Sequence, residues 1–251
     1  YGDIGAMAEQ AFLETADIDS STPDYAKRFA GEVGSYFLAL QTELTLALLA
    51  PYPGATILDV GGGHGQLAAP LAQKGFPITV TGSSNACRHN LDAILPPGSF
   101  QYRTCDMLHL PFPDRSFDVV LSFRLLPHVN RWQELIAELC RVAKKAVIID
   151  YPDRRSINIL YNLLFDWKKS LEGDTRTFTL FSRRQIGAEF ARHGLYDPAF
   201  RHEFFLPMVL HRKMGSARIS RVLEQMFRIC GLTSLFGSPA IVRVQRSESA
   251  P

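Results

Sequence analysis

The stretch Ile57-Leu-Asp-Val-Gly-Gly-Gly-His-Gly-Gln66 joins an apolar run to Gly61, Gly62, Gly63 and Gly65, with the carboxylate of Asp59 two residues ahead of the first glycine. A strand that turns sharply into a helix while its backbone lies against a ligand needs residues without a Cβ, and glycine reaches left-handed backbone at no steric cost. A carboxylate at such a turn only accepts hydrogen bonds, so it suits an ammonium or a pair of hydroxyls. Three readings stand side by side: a turn of purely structural use, a dinucleotide site and a site for S-adenosylmethionine. Dinucleotide loops follow G-x-G-x-x-G. Here the third glycine comes one position early, at Gly65, and Gln66 fills the slot that pattern reserves. Further polar residues end later apolar runs: Asp106 in Thr104-Cys-Asp-Met107, Arg124 and His128 after Phe117 to Phe123, and Asp150-Tyr151 after Ala146. The four cysteines sit singly, without CxxC pairs or nearby histidines, so they read as buried free thiols and no metal site is expected.

The elements that would position these residues follow from periodicity. Short β-branched runs at 55–60, 78–81, 100–105, 117–123 and 146–150 alternate with helical stretches at 66–74, 85–95 and 132–143. Strands alternating with helices predict an α/β fold, a doubly wound, mostly parallel Rossmann-like sheet covered on both faces. Ligands are expected beyond the carboxyl ends of its strands. Ahead of this core, residues 1–23 are small and polar and read as a flexible arm that could order over a ligand. A long helix is expected from Pro23 to about Leu49. Beyond it, helices at 156–169, 183–193 and 216–230 and strands at 200–206 and 239–244 depart from the alternation. The division is therefore 1–50, an arm and helix covering the site; 51–152, the ligand-binding core; and 153–251, the rest of the sheet with inserted cap helices.

Asp59-Val-Gly-Gly-Gly-His-Gly65 resembles the acidic-x-G-x-G-x-G signature of class I S-adenosylmethionine-dependent methyltransferases. The blocks Leu110-Pro-Phe-Pro-Asp-Arg-Ser-Phe-Asp-Val-Val-Leu-Ser122, Leu126-Pro-His-Val129 and Glu138-Leu-Cys-Arg-Val-Ala143 are similar to the ubiquinone-biosynthesis-like (type 11) group, a likeness covering about residues 55–152. The resemblance implies a seven-stranded sheet and S-adenosylmethionine as cofactor, S-adenosylhomocysteine being the product. It implies that Asp59 helps place the methionine moiety, that Gly61, Gly62, Gly63 and Gly65 pass under the cofactor, and that Asp106 and Met107 meet the adenine. Family members carry an acid after the second strand to grip the ribose hydroxyls. This chain has Ser83-Ser84-Asn85, with Ser84 at the acid's position, so neutral hydrogen bonds or a residue elsewhere must serve, at a cost on the order of 1 kcal/mol. The same serines with Arg88 would also suit a 2′-phosphate, which keeps an NADP-dependent oxidoreductase in view, and the missing acid equally fits a non-catalytic binding or sensor protein. Tyr25 and Arg28 are expected to help close the site.

Methyl transfer from a sulfonium is an in-line displacement in which alignment supplies much of the acceleration. His128 would deprotonate an acceptor hydroxyl or merely cap the next helix, and Arg124 would orient an anionic acceptor or pair with an acid. Asp150, Tyr151, Tyr161 and Phe165, with the 204–210 run, would line a pocket for a small hydrophobic or aromatic acceptor. The alternative is that they only pack the inserted helices.

Charge and composition bound the rest. The chain has 251 residues, 46% hydrophobic and 21% charged, with 27 basic against 25 acidic side chains and a net charge of +2. That profile buries a core and creates no overall field for nucleic acid. The 183–246 region nevertheless carries eleven Lys or Arg and four Asp or Glu. Its 216–230 helix, with arginines beside an apolar stripe, leaves peripheral contact with an anionic membrane open. No apolar run reaches the roughly 20 residues of a membrane span and no secretory leader opens the chain, so a cytoplasmic protein is expected.

Overall fold

The computed structural model describes residues 12–156 and 178–247. The helix expected at 156–169, with Tyr161 and Phe165, therefore lies almost entirely outside the described residues. The short apolar runs form β1 (Ile57–Val60), β2 (Ile78–Gly82), β3 (Gln101–Thr104), β4 (Phe117–Ser122), β5 (Ala143–Tyr151), β6 (Leu195–Phe204) and β7 (Ser238–Arg246). Their order is β3-β2-β1-β4-β5-β7-β6, all parallel except β7, which runs against β5 and β6. The order reverses beside β1, so the glycine turn after β1 opens at the switch point, where open α/β sheets leave a crevice.

Around the sheet lie α1 (Ala16–Ser20), α2 (Pro23–Lys27), α3 (Gly31–Leu49), α4 (Ala68–Gln73), α5 (His89–Ile94), α6 (Trp132–Val142), α7 (Arg183–Arg192), α8 (Met208–Met214), α9 (Ala217–Ile229) and α10 (Leu232–Phe236). Strand alternation assigns the faces. Leu58, Val60, Val120, Val147 and Ile149 pack against α6 and α7. Ile57, Val119, Leu121 and Ile148 pack against α3, α4 and α5. The helical spacing of Leu135, Ile136, Leu139 and Val142 gives α6 one fully buried stripe. Each such side chain stabilises the fold by about 2 kcal/mol.

Three expectations change. The single helix from Pro23 to Leu49 is two helices, because Gly31 adopts φ +73° and the Phe29 backbone folds onto Gly34, where a Cβ would meet it at 2.1 Å. Left-handed backbone cannot continue a right-handed helix. The arm is also not structureless throughout, since α1 docks on the turn after β1 with Asp17 fully buried. Finally, α9 is inverted relative to a roof over the sheet. It buries Ala217, Ser220 and Glu224 and leaves Ile219, Val222, Met226 and Ile229 exposed.

Candidate cofactor and acceptor site

The turn after β1 is built as its glycines require. Gly61 and Gly65 have φ of +75° and +71° and bracket a single 3₁₀ turn over Gly62–His64. A Cβ on Gly62 would stand 2.2 Å from Asp59 Oδ2, and one on Gly63 would stand 2.6 Å from Ser21 Oγ. The loop therefore closes over the Asp59 side chain, which is fully buried. Neither oxygen of Asp59 has a hydrogen-bond partner among the described residues, and burial pushes its pKa up to about 7. An unpartnered buried carboxyl is costly unless a cation or donor arrives to satisfy it. His64 donates no charge to it. Its Nδ1 accepts from the Gln66 N–H at 3.2 Å, while burial, with help from the Arg124 charge, holds its pKa down at about 3, so the ring is neutral.

The loop after β2 receives a carboxylate from the arm. The Ser83 N–H donates to Asp17 Oδ2 at 2.6 Å and Ser83 Oγ donates to Asp17 Oδ1 at 2.5 Å. Glu14, one turn earlier, accepts from the Asn130 and Arg131 N–H groups at 3.0 and 3.1 Å. Asn90 Nδ2 donates to the Ser21 carbonyl at 2.7 Å. Thus α1 is tied to both sides of the crevice. Ser84 caps the following 3₁₀ turn, its hydroxyl accepting from the Ala86 N–H at 3.2 Å. Tyr25 and Arg28 stack on each other in the α2 region, guanidinium 5.1 Å from ring centroid, and Arg28 is exposed. The arm reaches the glycine turn through Asp17 and Ser21 instead.

After β3, Asp106 makes a local turn, accepting from the Leu108 N–H at 2.9 Å and pairing with His109 Nδ1 at 2.9 Å. Met107 is buried in the core on the α6 side. Asp106 follows the carboxyl end of β3 and serves the turn role that its residue type also predicts.

At the end of β4, Arg124 sits in left-handed backbone, φ +58°. Its N–H donates to Asp150 Oδ1 at 2.6 Å, its guanidinium bonds Gln41 of α3, and the Phe29 ring lies 4.2 Å beneath it. The bond to Asp150 comes from the Arg124 backbone, while the guanidinium is held by the Gln41 amide oxygen and the Phe29 ring. Asp59, Asp150 and Glu203 all project to the α3 face. The Glu203 carboxyl is fully buried without a hydrogen-bond partner among the described residues; burial, offset by Arg124, pushes its pKa up to about 8. Burial likewise raises Asp150, again against the Arg124 charge. Tyr151 alternates to the other face, buried beside Phe181, its ring centroid 6.3 Å away, so the structure separates it from Asp150 and from the crevice. His128 ends a 3₁₀ turn and places its ring 5.7 Å from that of Phe178. Among the described residues no cluster of metal-ligating side chains occurs, and Cys230, unlike the other three thiols, is exposed.

Sequence reasoning missed Asp17, Glu14, Gln41 and Glu203. The first two lie in a segment whose role depends on docking 66 residues away at Ser83 and 116 residues away at Asn130, and Glu203 is a carboxylate inside a strand, which alternation assigns to a face without a partner.

The geometry agrees with the known proteins this chain resembles. The family described as a methyltransferase domain matches residues 58–149. The ubiquinone biosynthesis O-methyltransferase of Paramagnetospirillum magneticum is 39% identical over 85 residues, 33% of this chain and 34% of that protein. The fatty-acid O-methyltransferase of Mycolicibacterium smegmatis is 29% identical over 162 residues, 61% and 55% of the two chains. The crystal structure of magnesium protoporphyrin IX methyltransferase from Synechocystis PCC 6803, with bound S-adenosylhomocysteine, superposes with a TM-score of 0.60 at 17% identity, covering 91% of this chain and 97% of that one. The chain spans about a third to just over a half of the length of the curated relatives it matches first. A seven-stranded sheet of this order, the glycine turn over Asp59 and the matched segment agree: the chain carries a class I S-adenosylmethionine-dependent methyltransferase domain of the ubiquinone-biosynthesis-like group.

Proposed function

We propose that this chain transfers a methyl group from S-adenosylmethionine to a small, hydrophobic or aromatic acceptor in the cytoplasm, a setting that its unpaired cysteines suit. The observation that carries the reading is the Asp59 carboxyl, sealed under the glycine turn with no partner among the described residues. The residues present fit the cofactor. Its ammonium would supply the charge Asp59 lacks, and Gly61, Gly62, Gly63 and Gly65 bring no Cβ between loop and nucleoside. When bound, the cofactor supplies an electrophilic methyl on a positively charged sulfur.

Asp17 answers the departure at Ser84. A carboxylate oxygen pair has about four lone-pair sites; Oδ2 takes the Ser83 N–H and, at 3.7 Å, Cys87 Sγ, while Oδ1 takes only the Ser83 hydroxyl and keeps a site for a ribose hydroxyl. A Cβ on Gly61 would lie 3.5 Å from Asp17 Cβ and 2.8 Å from a Leu125 methyl, so α1 and Leu125 cover the floor where the nucleoside would lie. Cofactor entry requires α1 to lift and close again, with Ser83 as its latch. Ser83, Ser84 and Asp106 would border the same crevice, with Met107 packed in the core behind Asp106.

On the acceptor side, Arg124 is held by Asp150, Gln41 and Phe29, which fixes it at the end of β4 as a positioning group. His128 stands on the next turn as the candidate proton acceptor, and Phe178 against its ring supplies an apolar wall. The test is incubation with trideuteromethyl-labelled S-adenosylmethionine and a panel of quinols, phenols and long-chain acids, read by mass spectrometry. A labelled product in one class supports the reading. Cofactor binding without transfer to any class would favour the sensor instead.

A further inference from the structure

The inverted helix α9 identifies a surface that the crevice does not use. Glu224 explains the inversion: its buried carboxylate accepts from the half-buried Phe205 and Leu206 N–H groups at 2.8 and 2.9 Å and bonds the buried His211 Nε2 at 2.9 Å. Anchoring that polar residue inward turns Ile219, Val222, Met226 and Ile229, spaced along one helical stripe, out to solvent at 51%, 57%, 58% and 76% exposure. Leu210 of α8 and Leu235 and Phe236 of α10 are exposed as well. Single exposed apolar side chains are ordinary, but four along one helical stripe, with more on the helices before and after it in the chain, mark an interaction surface.

Its charge says what the surface meets. Between residues 205 and 237 the sequence has Arg212, Lys213, Arg218, Arg221 and Arg228, and its sole acid is Glu224, which is 1% exposed. The segment therefore presents apolar side chains beside cations with no exposed carboxylate, the composition of a helix lying in the interface of an anionic bilayer. Arg218 and Arg221 fall on one flank of the stripe, where their stems can lie along apolar surface while the heads stay in water. An open groove of about 770 Å³ runs between α3 and α9, lined by Tyr36, Leu40, Leu44, Val222 and Met226, with Arg221 and Arg228 on its α9 wall and one exposed carboxylate, Glu43, on its α3 wall. Because β6 runs parallel to β5, α8 follows from the same carboxyl edge of the sheet on which the crevice opens. Among the described residues no helix is long and apolar enough to cross a membrane, so contact through this region would be peripheral.

We infer that α8 to α10 form a membrane-docking face that binds anionic lipid surfaces through the Ile219–Val222–Met226–Ile229 stripe and its flanking arginines. The surface is independent of the acceptor chemistry.

The test is co-sedimentation of the full chain with phosphatidylcholine vesicles with and without about one third phosphatidylglycerol. Binding is expected to the anionic vesicles alone, weakened roughly tenfold or more by raised salt. The V222E/M226E variant should lose that binding while keeping the wild-type melting temperature, and R218E/R221E should lose the preference for anionic lipid. No binding by a folded wild-type chain would overturn the inference. So would equal binding by wild type and V222E/M226E, or a second copy of the chain on this face, seen as a dimer that V222E/M226E dissociates without any vesicle binding.

Discussion

Asp59, Asp150 and Glu203 are three buried carboxyls on one face of the sheet, and Arg124 is the cation that bears on the last two. The consequence for stability has a definite sign. Burial raises Glu203 from an ordinary 4.5 to about 8, so the folded state holds a proton that the unfolded state releases. The contribution is fully present below about pH 4.5 and is lost as pH rises through 8. Glu203→Gln, which cannot ionise, should therefore melt at nearly the wild-type temperature at pH 5 and above it at pH 9. The slope should shrink without vanishing, since Asp59 and Asp150 titrate with the same sign. Differential scanning fluorimetry across pH checks this. Asp59 was legible from its spacing before the glycines. Glu203 was not, because its importance comes from the absence of a neighbour, which no spacing reveals.

At the scale of elements, the proposed function has the glycine turn and the arm divide the work of holding a nucleoside. Gly62→Ala would drive a methyl group to 2.2 Å from Asp59 Oδ2 and should destabilise the fold by roughly 1–3 kcal/mol, seen as a lower midpoint in urea, besides disturbing the crevice. Asp17→Asn removes the charge while keeping the shape. It should weaken S-adenosylhomocysteine about five- to tenfold, and lose much less for an analogue without ribose hydroxyls, because the difference is the worth of hydrogen bonds to a charged acceptor. Tighter binding by Asp17→Asn would instead make α1 a plug that the ligand must expel. The turn could be read from residues 57–66 because it is local. The docking of α1 could not, since it depends on bonds from Asp17 to Ser83 and from Glu14 to Asn130 and Arg131. The period of α9 was likewise visible, but not which side faces inward, because three partners for Glu224 outweigh four exposed aliphatic side chains.

For the whole molecule, the alternation of strands and helices from residue 55 to 151 specified the parallel half of the sheet and the edge at which ligands are expected. The pairing of β7 between β5 and β6 completes that edge and brings Glu203 beside Arg124, a long-range consequence of antiparallel register. The claim on which the functional account depends is that the sealed carboxyl of Asp59 awaits the ammonium of a sulfonium nucleoside. Equilibrium dialysis of S-adenosylhomocysteine against wild type and Asp59→Asn, at pH 6 and pH 8, tests it most directly. The account predicts one site per chain, tighter at pH 8 because the ionised Asp59 is the binding form, with Asp59→Asn weaker by roughly 10- to 100-fold and without that pH dependence. Absence of binding to the wild-type chain, or equal affinity for the two proteins at both pH values, would contradict it.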